Sequence, residues 1–115
     1  MSHVRLRRAE SVLREEISRL FLEHRIKDPR LHGRLTVSSV RLSRDLRYAA
    51  VSVSYLGDPE KEQQTLEALQ RSAGYVQGEI GKRVRLRFVP RISFSIDHSI
   101  ERGINLVRKI EELTE

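Results

Sequence analysis

Between Val4 and Ile26 the apolar residues Ala9, Val12, Leu13, Ile17, Leu20 and Phe21 recur at steps of three and four. That spacing draws one stripe along an amphipathic helix. Asp28-Pro29 is expected to stop it, because a residue before proline avoids the α region, and Gly33 falls in the loop that follows. Leu35-Thr36-Val37 and Val40-Arg41-Leu42 each alternate like strands but are out of phase across Ser38-Ser39. One extra residue there, a β-bulge, returns both runs to the same face. Ser43-Arg44-Asp45-Leu46 reads as a turn, and Ala49, Val51, Val53 and Tyr55 then alternate with small residues as a half-buried strand. The short connection makes the two strands an antiparallel hairpin.

Gly57-Asp58-Pro59-Glu60 signals a helix start, with Asp58 as N-cap and Pro59 at the first helical position. Leu66, Leu69, Ala73, Val76, Ile80 and Val84 keep helical spacing to about residue 85. Gly74, Gly78 and Gly81 interrupt that stretch, each costing up to about 1 kcal/mol against alanine. We therefore expect two helices meeting at a bend at Ser72-Ala73-Gly74, where small side chains permit close packing. Phe88, Ile92, Phe94 and Ile96 mark a last strand, with Pro90 at its start or on an edge and both phenylalanines in the core. A C-terminal helix over about 99–113 points Ile100, Ile104, Val107 and Ile110 inward. The expected fold is α+β, in the order α-β-β-α-α-β with a three-stranded mixed sheet and a final helix, in a single domain spanning 1–115.

Composition narrows the chemistry. The chain has 115 residues, no cysteine and 38% hydrophobic residues, which excludes a disulfide framework, a thiolate metal site and a cysteine nucleophile. No apolar run reaches the roughly 18 residues of a membrane span, and the N-terminus lacks the apolar core of a secretion signal, so a cytoplasmic protein is expected. The net charge is +6, and residues 81–96 alone hold five cations and no acid. Arginine outnumbers lysine 18 to 4. Guanidinium groups grip phosphate bidentately and stack on bases, so this bias favours a nucleic-acid partner.

Catalytic and metal signatures are missing. Asp97-His98-Ser99 carries the letters of a triad, but sequence neighbours do not converge as triad members must. Asp97 and Ser99 read instead as competing caps for the last helix. The four histidines have no metal-ligand spacing, and no glycine-rich phosphate loop occurs. No enzyme activity, metal or cofactor is expected.

The element order looks like a type II KH domain, in which a GXXG loop between two helices clamps a nucleic-acid backbone. Gly78-Glu79-Ile80-Gly81 matches GXXG literally, yet Ile80 continues the helical stripe through it. More specific are Arg7-Arg8, Lys27-Asp28-Pro29-Arg30, Thr36-Val37, Ser43-Arg44-Asp45-Leu46-Arg47-Tyr48-Ala49, Leu56-Gly57-Asp58, Leu66-Glu67-Ala68-Leu69, Gly81-Lys82-Arg83 and Asp97-His98-Ser99-Ile100-Glu101-Arg102-Gly103. In order and spacing this series resembles the ribosome-binding factor A family, whose KH-like fold carries an AxG bend in place of GXXG. Ser72 stands where that family has its first alanine; its hydroxyl can bond back to the preceding turn.

The resemblance implies a non-enzymatic assembly factor that binds the free or immature 30S subunit, assists maturation of 16S rRNA near its 5′ end and is linked to growth in the cold. From the charge pattern, the candidate RNA contacts are Arg7, Arg8, Arg44, Arg47, Arg71, Lys82, Arg83, Arg85, Arg87 and Arg91. Arg7 and Arg8 open a helix against its dipole, which suggests compensation from outside the helix. Aromatic residues are only 5%, so backbone and shape recognition by a monomer, without base stacking, is expected. Two other readings are weighed: an RNA-processing enzyme, motivated by the scattered histidines and acids, and a general nucleic-acid-binding or protein-interaction module, motivated by basicity and the amphipathic first and last helices.

Overall fold

The structure is a computed structural model and describes residues 3–23, 34–86, 88–98, 111 and 113. Helix α1 (His3–Leu22) is followed by strands β1 (Arg34–Leu42) and β2 (Tyr48–Leu56), a short 3-10 turn (Pro59–Lys61), helix α2 (Glu62–Arg83) and strand β3 (Arg91–Ile96). The expected stop at Asp28-Pro29, Gly33 and most of the C-terminal helix lie outside the described residues; Glu111 and Leu113 are helical.

The sheet order is β1-β2-β3, with β1 antiparallel to β2 and β2 parallel to β3. The mixed sheet follows from chain direction: only a long crossover returns a strand parallel to its neighbour, and α2 supplies it. The phase slip in β1 is a bulge. The register shifts between Val37 and Ser39, leaving Ser38 out of the ladder with its hydroxyl donating to the Ser52 carbonyl at 3.0 Å. Val37, Val40 and Leu42 thereby face the same side as Val51, Val53, Ile92 and Phe94. These side chains meet Leu13, Ile17 and Leu20 of α1 and Leu69, Val76 and Ile80 of α2 in one core.

Both helices hold the sheet by polar contacts as well. The Leu42 N–H donates to the Glu10 carboxylate at 2.8 Å, fixing the first half of α1 against the hairpin end of β1. The Ile92 N–H donates to the Gln77 side-chain oxygen at 3.0 Å, fixing α2 over β3. A hydrogen bond to a charged acceptor contributes about 1.5–3 kcal/mol, which makes the Glu10 contact a strong positional constraint.

The start signal opens a 3-10 turn just ahead of the α-helix, and α2 itself begins at Glu62 after Lys61, which gives no side-chain cap. Asp58 is extended, its carboxylate accepts from the Glu60 N–H at 3.0 Å, and Pro59 opens the turn.

The break into two helices is a correction. Ser72, Ala73 and Gly74 lie inside one uninterrupted helix of 22 residues, so the order is α-β-β-α-β before the C-terminal segment rather than one with two helices there. Burying Leu69, Val76 and Ile80 is worth about 1.5–3 kcal/mol each, which outweighs three glycine costs of about 1 kcal/mol. Close packing does not explain Gly74 or Gly78 either, because an added Cβ would meet nothing within 4 Å at either position. Gly81 differs, since a Cβ there would lie 3.0 Å from Val89 Cγ2. Ser72 does bond back, its hydroxyl donating to the Leu69 carbonyl at 2.7 Å.

Because Gly74 is helical, exposed and has open space beside it, Gly74→Ala should raise stability by about 0.5–1 kcal/mol. Chemical denaturation reads this directly, and a loss of stability would mean that the position needs glycine for another reason.

Candidate nucleic-acid interface

The hairpin turn is built by its own side chains. Ser43 N–H donates to the Tyr48 carbonyl and Leu46 N–H to the Ser43 carbonyl, both at 2.9 Å. The Ser43 hydroxyl donates to Asp45 Oδ1 at 2.7 Å and accepts from the Tyr48 N–H at 3.0 Å. Asp45 Oδ1 also accepts from the Arg47 N–H at 3.2 Å. Leu46 is left with φ of 62°, a left-handed conformation unusual for a side chain of its size. The Ser43 hydroxyl, then the Arg47 N–H and the Arg47 guanidinium, hold the Asp45 carboxyl below its ordinary value.

Parallel pairing brings the start of β3 to this turn. The Arg91 N–H donates to the Arg47 carbonyl at 2.8 Å, and Arg91 lies opposite Tyr48. Arg44, Arg47 and Arg91 are exposed and share this end of the sheet, with Tyr48 at 57% exposure among them. Arg85 is exposed one residue before Leu86, which packs beside the turn. Arg7 and Arg8 are exposed on α1, one turn or less before Glu10, the residue that bonds Leu42 at the end of β1. Six of the ten expected contacts therefore come from segments that converge on the hairpin end.

The others divide differently. Arg83 does not present a free guanidinium: it reaches Glu23 at 3.3 Å, Glu16 at 3.7 Å and Glu79 at 3.9 Å, joining α1 to α2. The hydrogen bond to Glu23 is the main reason its pKa is raised. Lys82 sits 3.6 Å from Glu79, and Arg71 3.8 Å from Glu67. The Arg71–Glu67 pair is exposed on both sides and contributes under about 1 kcal/mol, whereas Lys82 is exposed but its partner Glu79 is largely buried and shared with Arg83. Arg71 is also displaced roughly 18 Å along α2 from Arg83, at about 1.5 Å per residue. Arg87 lies outside the described residues.

Other expectations are sharpened. Phe94 is buried, with its ring 6.3 Å from that of Phe21. Phe88 is not in the core: it is 61% exposed, in the turn before β3, while Pro90 is fully buried. Gly78-Glu79-Ile80-Gly81 is helical, with Ile80 buried. His98 Nε2 lies 3.4 Å from Glu62 in the first turn of α2, away from any triad arrangement. The face of the sheet opposite the helices carries Thr36, Arg41, Ala50, Ser52, Ser54, Ser93 and Ser95. Arg41 is exposed there and was not among the expected contacts, although its alternation with buried Val40 and Leu42 announces its direction.

A family model described as ribosome-binding factor A matches residues 5–110. The chain belongs to the ribosome-binding factor A family. It is 43% identical over 109 residues to ribosome-binding factor A of Dictyoglomus thermophilum, covering 95% of this chain and 90% of that one. The crystal structure of ribosome-binding factor A from Thermus thermophilus superposes with a TM-score of 0.67 at 31% identity, covering 79% of this chain and 94% of that one. A Thermus thermophilus ribosome-binding factor A model fitted into a cryo-EM map of its complex with the 30S subunit gives a TM-score of 0.58 at 32% identity, covering 76% and 93%. The fold is thus the KH-like fold of the family, here with α2 unbroken.

Arg83→Ala should lower the thermal midpoint, whereas Arg85→Ala, two residues on and exposed, should leave it unchanged. Equal midpoints for both variants would mean that Arg83 does not hold α1 to α2. Asp45 has its own signature in pH. Since its folded pKa is depressed, its contribution is present above the unfolded value of about 3.9 and is lost as pH falls through the lower folded value. Melting curves between about pH 5 and pH 2 should therefore fall more steeply for the wild type than for Asp45→Asn.

Proposed function

We propose that this chain binds the small ribosomal subunit through the arginine-bordered hairpin end of its sheet, contacting 16S rRNA phosphates and assisting maturation near the 5′ end without catalysis. The observation that carries the reading is local. Arg44, Arg47 and Arg91 converge there, and the carboxylate among them, Asp45, is already engaged by the Ser43 hydroxyl and the Arg47 N–H. Three cations stand there against one carboxylate, Asp45, which pairs with Arg47 at 3.9 Å, so the surface keeps a positive excess that suits a phosphate backbone and gives no sequence preference. The fit of a family member into a 30S complex supports the small subunit as the partner.

Arg7, Arg8, Arg85 and Arg87 extend the contact in this reading, and Lys82 and Arg71 exchange intramolecular pairs for phosphate. Arg83 serves the fold instead.

Association with precursor 30S particles should weaken steeply as salt rises, with a log–log slope of about −0.9 per phosphate neutralised. Replacing Arg44, Arg47 and Arg91 together by alanine should reduce that slope by about 3, one unit per lost contact. Co-sedimentation across a salt series measures both. Salt-independent association, or equal binding to duplex DNA and to precursor particles in competition, would overturn the reading.

A further inference from the structure

Beside the hairpin turn lies a cleft of about 230 Å³ lined by Leu42, Arg44, Asp45, Leu46, Leu86, Phe88 and Pro90. We propose that this cleft receives one unpaired nucleobase of the bound RNA, stacked on Phe88, with the flanking phosphates held by Arg44, Arg47 and Arg91. The inference rests on the RNA-binding reading above and adds a base to what is otherwise backbone recognition.

Size is the first argument. Pockets for drug-sized ligands measure about 300–1,000 Å³, so this one has room for a single ring system. Chemistry is the second. The walls are aliphatic and prolyl, and Phe88 stands 61% exposed at the cleft although Phe94, six residues on, is buried. An aromatic ring exposed to water at the edge of an apolar slot is the arrangement on which bases stack. Charge is the third. Arg44 lines the cleft, and Arg91 follows Pro90 with its N–H bonded to the Arg47 carbonyl. Asp45 is ionised and pairs with the Arg47 guanidinium at 3.9 Å, so it offsets one of the three cations and leaves Arg44 and Arg91 as the positive excess at the cleft. Apolar depth with a cationic border matches a nucleotide, base inward and phosphate outward. The left-handed Leu46, at φ 62°, contributes one of the walls, and such strained residues persist where the surroundings hold them in place.

The test compares two RNA hairpins that differ only in one bulged 2-aminopurine. The wild type should bind the bulged hairpin more tightly and change the emission of the bulged base. Phe88→Ala should abolish that emission change and weaken the bulged hairpin about 5- to 150-fold, the usual range for losing one stacked base, while leaving the paired hairpin unaffected. Phe88→Trp should restore both signals, which separates stacking from any fault in folding. Arg91→Ala should weaken both hairpins alike. Equal binding of the two hairpins by the wild type, or equal effects of Phe88→Ala on both, would overturn the cleft proposal and leave the RNA-binding reading standing. A wild type that binds neither hairpin would overturn both.

Discussion

The parallel pairing of β3 with β2 governs this molecule, beginning at the 2.8 Å hydrogen bond from the Arg91 N–H to the Arg47 carbonyl. A strand returning parallel to its neighbour must first be carried back to the same end of the sheet. Helix α2 makes that journey, and its 22 residues cover the β3 side of the sheet while α1 covers the β1 side. The chain must then reverse into β3 beside the hairpin turn. That geometric necessity sets the residues before β3 against Ser43–Arg47 and creates both the arginine-bordered end and the cleft beneath it.

Arginine does two jobs in this fold, divided by what surrounds each guanidinium. Arg83 meets three carboxylates from two helices and the residue that follows α1, and serves cohesion. Arg44 and Arg91 meet solvent and remain available to a partner. The same side chain therefore stabilises or recognises according to the acids that the tertiary structure delivers. At the turn, a serine hydroxyl and a backbone N–H keep the Asp45 carboxylate ionised, and its charge is offset by Arg47 at 3.9 Å, leaving Arg44 and Arg91 in excess.

Much of this was legible along the chain. The bulge follows from the phase slip at Ser38-Ser39, since a strand with one buried face tolerates no other repair. The Asp58-Pro59 start is local chemistry and needs no tertiary knowledge. The unbroken α2 was hidden because glycine propensity is a local quantity, whereas the burial that overrides it comes from β3 and α1. The commitment of Arg83 was hidden because its main partner, Glu23, is 60 residues away. Phe88 alternates correctly for a strand, but fully buried Pro90 starts the strand one residue later and leaves the ring outside. The convergence of Arg7, Arg44, Arg85 and Arg91 is a property of topology, visible in sequence only as separate basic spots.

Glu10 and Gln77 have a consequence for self-association. A three-stranded open sheet has two outer margins, and each offers unpaired N–H groups that a strand from another copy could use. At the β1 margin the Leu42 donor is taken by Glu10, and at the β3 margin the Ile92 donor is taken by Gln77. Each blocking group is carried by the helix that packs over its own strand, so neither margin opens without loosening the core. Strand addition is thereby discouraged from the hairpin end on both flanks, a safeguard for a short-stranded fold bearing so much small, flat, serine-rich surface.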